Sequence, residues 1–207
     1  MKLYYKPGAC SLASHIALTE AGVAFDIEKV DTKEQKTEHG EDFSTVSPNG
    51  YVPALKLDSG DVLTEGPAIL QFIADTNKSS KLAPEGGTLE RAQVNQYLNF
   101  VGSELHKAFS PFFGATPLEG EARASAEAGV ARRFNYLEDV LSDGRAYLTG
   151  ETFTIADAYM FVVSNWSNFT GIDLKQWPNI AAFVARVAAR PATQQAMGAE
   201  GLLQKAA

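Results

Sequence analysis

The sequence predicts an α/β unit followed by an all-α unit, and three observations predict it. From Lys2 to Asp75, short strand-like apolar runs alternate with helical periods. The stretch KSSKLAPEGGT at 78–88 then carries Ser, Pro and Gly but no apolar period. Every later segment repeats at helical spacing. With 207 residues, 45% of them apolar, the chain can fill one large core or two modest ones without metal or disulfide support.

The elements follow in order. KLYYK (2–6) reads as a strand, and after Pro7-Gly8 the spacing of Leu12, Ile16 and Ala17 with a stop at Gly22 reads as a helix. AFDIEKVD (24–31) gives a second strand. After a polar stretch, PALKLD (53–58) and DVLTE (61–65) pair as a hairpin around Ser59-Gly60. A helix then starts near Gly66-Pro67, where proline's missing N–H costs nothing, and runs to about Asp75. The order β-α-β-(α)-β-β-α is solved most simply by a four-stranded mixed sheet with helices on both faces, the thioredoxin arrangement. Past the polar stretch, helices read over 88–109, 121–144, 154–169 and 178–190, with a short one after them. Thr154 and Asp157 have capping-box spacing, with Phe153 as the outer half of a hydrophobic staple. These signals place a thioredoxin-like domain at 1–80, a linker at 81–88 and an all-helical domain at 89–207.

Charge and composition narrow the partners. The net charge is −7 and the 18 basic residues are scattered, only Arg132-Arg133 being adjacent, so no nucleic-acid footprint exists. MKLYYKPGA lacks the apolar core of a secretion signal, and no apolar run is long enough for a bilayer. The single cysteine, Cys10, has no internal disulfide partner, so a reducing cytoplasm is the expected location. His15 and His39 have no companion at ligand spacing; they read as incidental, and no metal is expected. Small molecules or another protein remain as partners.

Four places can carry chemistry. Cys10 lies between the first strand and first helix, with Ser11 as the expected N-cap, so its sulfur is expected among unpaired N–H groups that favour a thiolate. Equally, it reads as a small buried hydrophobe. Val52-Pro53 is either an ordinary strand entry or a cis bond that leaves the polar groups of Val52 open to an extended peptide. Glu65-Gly66 precedes a helix, where the Gly66 N–H can take an anion and Glu65 an ammonium; alone, Glu65 equally suits a helix-dipole partner. Asn99, Ser103 and His106 share one helix face with Lys107 beside it, a solvated face or a polar stripe turned to a ligand. Among the aromatics, most belong to a core, and Phe109, Phe113 and Trp166 are candidates to wall an apolar substrate pocket between the domains.

Taken together and in order, MKLYYKPGACSLASHIAL, NGYVPAL, LTEGPAI, ELHKAFSPFF and FTIADAY resemble the beta-class glutathione transferases of bacteria. The resemblance covers essentially the whole chain and implies the cytosolic glutathione transferase fold, a thioredoxin-like domain plus a helical one. It implies glutathione as co-substrate, a homodimer with two sites, and Cys10 and His106 at the sulfur. Val52 would pair with the cysteinyl part of glutathione, with Ala9 and Pro53 nearby. Glu65 and Gly66 would hold the γ-glutamyl end, while Asn99, Ser103, Glu104 and Lys107 match positions at the site. Asp157 is implied to be structural. Two departures stand out. Gln35 occupies a position where relatives carry a lysine for the glycyl carboxylate, and Gly66 one where the wider superfamily often has serine. The implied activity is conjugation of the glutathione thiol to small apolar electrophiles. Thiol exchange or reductive dehalogenation through a Cys10 mixed disulfide is the alternative, and a non-catalytic ligand-binding protein the lesser one.

Overall fold

The computed structural model describes residues 1–203. Met1–Ala83 together with the segment from Ala189 onward form one compact unit, and Pro84–Ala188 form the other. Among the described residues, no helix is long and apolar enough to cross a membrane.

In the first unit the elements are β1 (Lys2–Tyr5), α1 (Ser11–Glu20), β2 (Asp26–Asp31), β3 (Lys36–Thr37), β4 (Ala54–Lys56), β5 (Val62–Thr64) and α2 (Gly66–Thr76). The sheet order is β3-β2-β1-β4-β5. Among the described residues only the β1–β2 pair is parallel; the others are antiparallel, so the sheet is mixed as expected. Among the described residues it has five strands instead of four. The extra one, β3, is a polar pair following Gln35 at φ 53, too short to show an alternation.

A second difference concerns the bracketed helix between β2 and β4. Only a 3-10 turn forms there, Phe43–Thr45, with Asp42 accepting from the Ser44 N–H at 3.0 Å. Phe43 is fully buried against Tyr4, Val30 and Ala54, so this turn covers the Tyr4 face of the sheet without a helix. Helices α1 and α2 pack on each other.

The expected helical domain also loses its last element. Helix α9 (Pro191–Ala199) packs on α1, within the first unit. The reason is a set of polar ties: His15 Nδ1 lies 2.9 Å from Glu200 Oε1, and Arg190 Nε donates to Glu20 at 2.6 Å. Glu200 Oε2 also accepts from the Gly8 N–H at 2.9 Å. His15, which reads as incidental in the sequence, is thus a buried member of this network.

The second unit contains α3 (Leu89–Phe100), α4 (His106–Phe109), α5 (Gly120–Val140), α6 (Ile155–Asn165), α7 (Ser167–Thr170) and α8 (Pro178–Ala188). The expected helix over 88–109 is interrupted by a π-turn at Val101–Leu105. Helix α6 is buried at every position from Ile155 to Ser164 and packs on α3 and α8. Such a helix has no water to satisfy its first N–H groups. The capping box of Thr154 and Asp157 closes that first turn, and the Asp157 carboxylate also fixes the chain leading into it, accepting from Thr154 N and Thr154 Oγ1, both at 2.8 Å, and from Leu148 N at 2.8 Å. Helix α8 is capped from α5, where Glu138 accepts from Asn179 N and Ile180 N at 2.9 and 3.0 Å.

Candidate functional site

The first unit brings three sequence candidates into register around β4. The loop between β1 and α1 is pinned by Ser11, whose Oγ lies 3.2 Å from the donating Lys6 N–H and itself donates to Lys6 O at 3.3 Å. Ser11 is therefore the first residue of α1, and the N-cap position belongs to Cys10. The turn consumes the Ala9 N–H, which donates to Lys6 O at 3.0 Å. Cys10 is partly exposed, and its thiol donates to Val52 O at 3.3 Å.

The thiolate expected at Cys10 does not follow from this geometry. Burial pushes the thiol up to about 11, with Glu65 adding to the rise, and the N–H groups of Cys10 and Ser11 oppose it without overcoming it. At neutral pH the resting group is a hydrogen-bond donor. Alkylation needs the thiolate, whose fraction at a given pH falls as the pKa rises. Reaction of Cys10 with iodoacetamide is therefore expected to be slow at pH 7 and to climb about tenfold per pH unit toward pH 10, whereas a free thiol levels off near pH 9. Mass-spectrometric rates across that range check the point, and a plateau below pH 8 would contradict it.

The Val52–Pro53 bond is cis. Among the described residues the Val52 N–H has no hydrogen-bond partner, and its carbonyl meets only Cys10. Glu65 stands at the N-cap of α2 with φ 66 and ψ 109, a conformation that side chains other than glycine rarely adopt. Its carboxylate is exposed, and the Gly66 N–H beside it is unpaired among the described residues. The helix dipole adds to that open donor. A Cβ on Gly66 would lie 3.9 Å from Pro53 Cγ, an ordinary contact, so a serine fits here as well as glycine.

The Gln35 side chain is engaged within the first unit. Its Nε2 donates to Thr32 O at 2.6 Å and Gly50 O at 3.2 Å, tying the turn after β2 to the turn before Pro53. Both side-chain donors are spent, and the remaining amide oxygen only accepts, so in this arrangement the side chain has no donor left for a carboxylate.

In the second unit the stripe on α3 is rearranged by the π-turn. Asn99 Nδ2 donates to Asn95 O and Ser103 Oγ to Asn99 O, each at 2.8 Å, so both exposed side chains bond to their own helix. Glu104 is engaged by Arg133 of α5 at 2.8 Å, which compensates a charge expected to serve the site. Lys107 is exposed. His106 is half-buried, with Nδ1 2.8 Å from the Tyr159 hydroxyl and its ring edge-on to Trp166 at 4.8 Å. Burial, aided by Lys107, lowers its pKa, so the imidazole is neutral at physiological pH.

Of the three aromatics expected at a pocket wall, Phe109 is wholly buried against Phe112, Phe134 and Trp166. It belongs to the core and presents no surface to a ligand. Phe113 is 54% exposed and packs edge-on to Trp166 at 5.1 Å. Tyr159 was legible only as one more core aromatic, although a buried tyrosine needs a partner for its hydroxyl.

The model of the glutathione S-transferase N-terminal domain matches residues 8–76, and that of the C-terminal domain matches residues 100–191. Glutathione S-transferase GstA of Escherichia coli O157:H7 is 43% identical over 202 residues, 98% of this chain and all of that protein. A solved bacterial beta-class glutathione S-transferase from Sphingomonas chungbukensis is 48% identical with a TM-score of 0.93, covering 98% of this chain and 100% of the other. A sphingomonad glutathione S-transferase solved in complex with glutathione is 48% identical with a TM-score of 0.92 over 98% and 100% of the two chains.

Proposed function

The chain belongs to the glutathione S-transferase family, in its bacterial beta class, and from that premise we propose that it joins the glutathione thiol to small apolar electrophiles with Cys10 and His106 at the sulfur. The observation that carries this reading is the Cys10 thiol donating to Val52 O, because a protonated, donating thiol supports a neighbouring thiolate better than it attacks. The open Val52 N–H suits the cysteinyl backbone of an extended tripeptide, and Gly66 N–H with Glu65 suits the carboxylate and ammonium of its γ-glutamyl end. Bound glutathione loses its thiol proton to solvent or to His106, and its sulfur forms a bond to carbon as the electrophile's leaving group departs with its electron pair. Placement and electrostatics supply most of the acceleration.

Of the three aromatics, Phe113 alone offers the electrophile an exposed apolar face on the helical unit; Trp166, 5% exposed, backs it from the core. We place the enzyme in the cytoplasm as a homodimer with two sites, using no metal; the lone free cysteine accords with a reducing compartment.

Intact mass after incubation with oxidised glutathione, for wild type and Cys10→Ala, is the direct test, run beside a conjugation assay with an activated aryl halide. Conjugation lowered but not abolished in Cys10→Ala, with little adduct on the wild type, is expected. A reductant-sensitive adduct of one glutathione on wild type only, with conjugation lost in Cys10→Ala, would instead favour thiol exchange or reductive dehalogenation through Cys10.

A further inference from the structure

A neutral imidazole can serve a ligand with either nitrogen, and the surroundings of His106 remove that choice. Its Nδ1 shares a hydrogen bond of 2.8 Å with the Tyr159 hydroxyl, while Nε2 has no partner among the described residues. The two rings meet edge-on at 6.1 Å and 87°. On another side Trp166 lies at 4.8 Å and 74°, so the imidazole plane is held by two aromatic neighbours. Tyr159 is only 4% exposed and projects from α6, whose first turn is fixed by Asp157. Its hydroxyl is therefore anchored by the most buried helix of its unit. A phenylalanine would fill the same volume; the oxygen is what reaches His106.

We propose that Tyr159 is the positioning residue that commits His106 Nδ1 to the protein and leaves Nε2 as the nitrogen that meets the glutathione sulfur. The same pattern recurs where an outer hydrogen bond fixes the tautomer and ring orientation of a functional histidine. The role rests on the reading that His106 faces the sulfur. It adds to that reading a second residue, on a different helix, that touches neither substrate.

The test compares wild type, Tyr159→Phe, His106→Ala and the double variant. The thiolate absorbance of bound glutathione is titrated with pH, and the ring nitrogens of His106 are followed by nitrogen NMR. His106→Ala is expected to raise the pH at which the bound thiol ionises. Tyr159→Phe is expected to raise it as well, lowering kcat at pH 6.5 about 3- to 10-fold while glutathione affinity stays within about twofold. In Tyr159→Phe the nitrogen spectrum shifts from one dominant tautomer to a mixture, and in the double variant Tyr159→Phe adds nothing to His106→Ala. If His106→Ala leaves the thiol titration unmoved, the reading beneath the proposal fails and takes it along. If His106→Ala moves the titration but Tyr159→Phe does not, or if its effect persists undiminished without His106, Tyr159 has no positioning role. Tyr159→His, which restores a polar group of shorter reach, separates a missing hydrogen bond from a packing defect: a variant with intact melting behaviour and no recovery supports the geometric requirement, and full recovery refutes it.

Discussion

Glu65→Gly is expected to stabilise the protein while weakening its hold on glutathione. The two effects have separate origins. Glu65 sits at φ 66 and ψ 109, where a side chain costs about 1–3 kcal/mol and glycine very little. Glycine's greater freedom in the unfolded chain takes back about 0.5–1 kcal/mol, leaving a net gain of roughly 1 kcal/mol. For a chain of this size that is about 2–4 °C in Tm. The carboxylate has no hydrogen-bond or ionic partner among the described residues, so nothing in the fold requires it. On the proposed reading, removing it takes away an acceptor for the γ-glutamyl ammonium, a charge-assisted contact worth about 1.5–3 kcal/mol, or about 10- to 100-fold in Kd. Calorimetric titration with glutathione and thermal melts, with Glu65→Ala as the strained control, measure both. Unchanged affinity would remove Glu65 from the site, and a lower Tm in Glu65→Gly than in Glu65→Ala would show that the backbone is not strained.

The second large effect is structural. Asp157→Ala is expected to cost about 3–5 kcal/mol, because the Leu148 and Thr154 N–H groups would be left buried without an acceptor. Against a total stability of about 5–15 kcal/mol this lowers Tm by roughly 10 °C and the yield of folded protein with it. Burial pushes the Asp157 carboxyl up to about 6 while its three donors pull the other way, so it is an anion at neutral pH. Asp157→Asn does not rescue the site: one accepting oxygen becomes an NH2 group facing a donor. Asp157→Glu keeps the charge but its extra methylene has no room in a helix buried at every position around it. Chemical denaturation monitored by tryptophan fluorescence ranks the three, and a near-wild-type Asp157→Ala would show that water replaces the cap.

Much of this architecture is written in local signals. The β4–β5 hairpin follows from Ser59-Gly60 between two apolar runs, and the start of α6 from the spacing of Thr154 and Asp157. Features without a local signature were hidden. The π-turn at Val101–Leu105 needs one i→i+5 register shift, which no residue type demands, yet it decides how Asn99, Ser103 and His106 are distributed around the helix. Phe109 and Phe113 are four apart and look alike in sequence; one is core and the other surface because the 3-10 turn Ser110–Phe113 changes the winding between them. The Arg133–Glu104 pair and the Gln35 bridge join distant positions, and only the folded chain reveals that those polar groups are already spent.

The packing of α9 on α1 has a consequence for the order in which the molecule can be built. A ribosome delivers the five strands, α1 and α2 first, then the whole of the second unit, and only afterwards the segment carrying Arg190 and Glu200. Until that moment His15 and Glu20 lack these partners, and the Gly8 N–H, two residues before Cys10, lacks the Glu200 carboxylate. Vectorial synthesis therefore leaves the earliest-made half as the last to be completed. Its nascent form is an open sheet whose α1 flank waits through about a hundred residues of elongation for its own missing helix, while the intervening helical unit, contiguous in sequence, can close during translation.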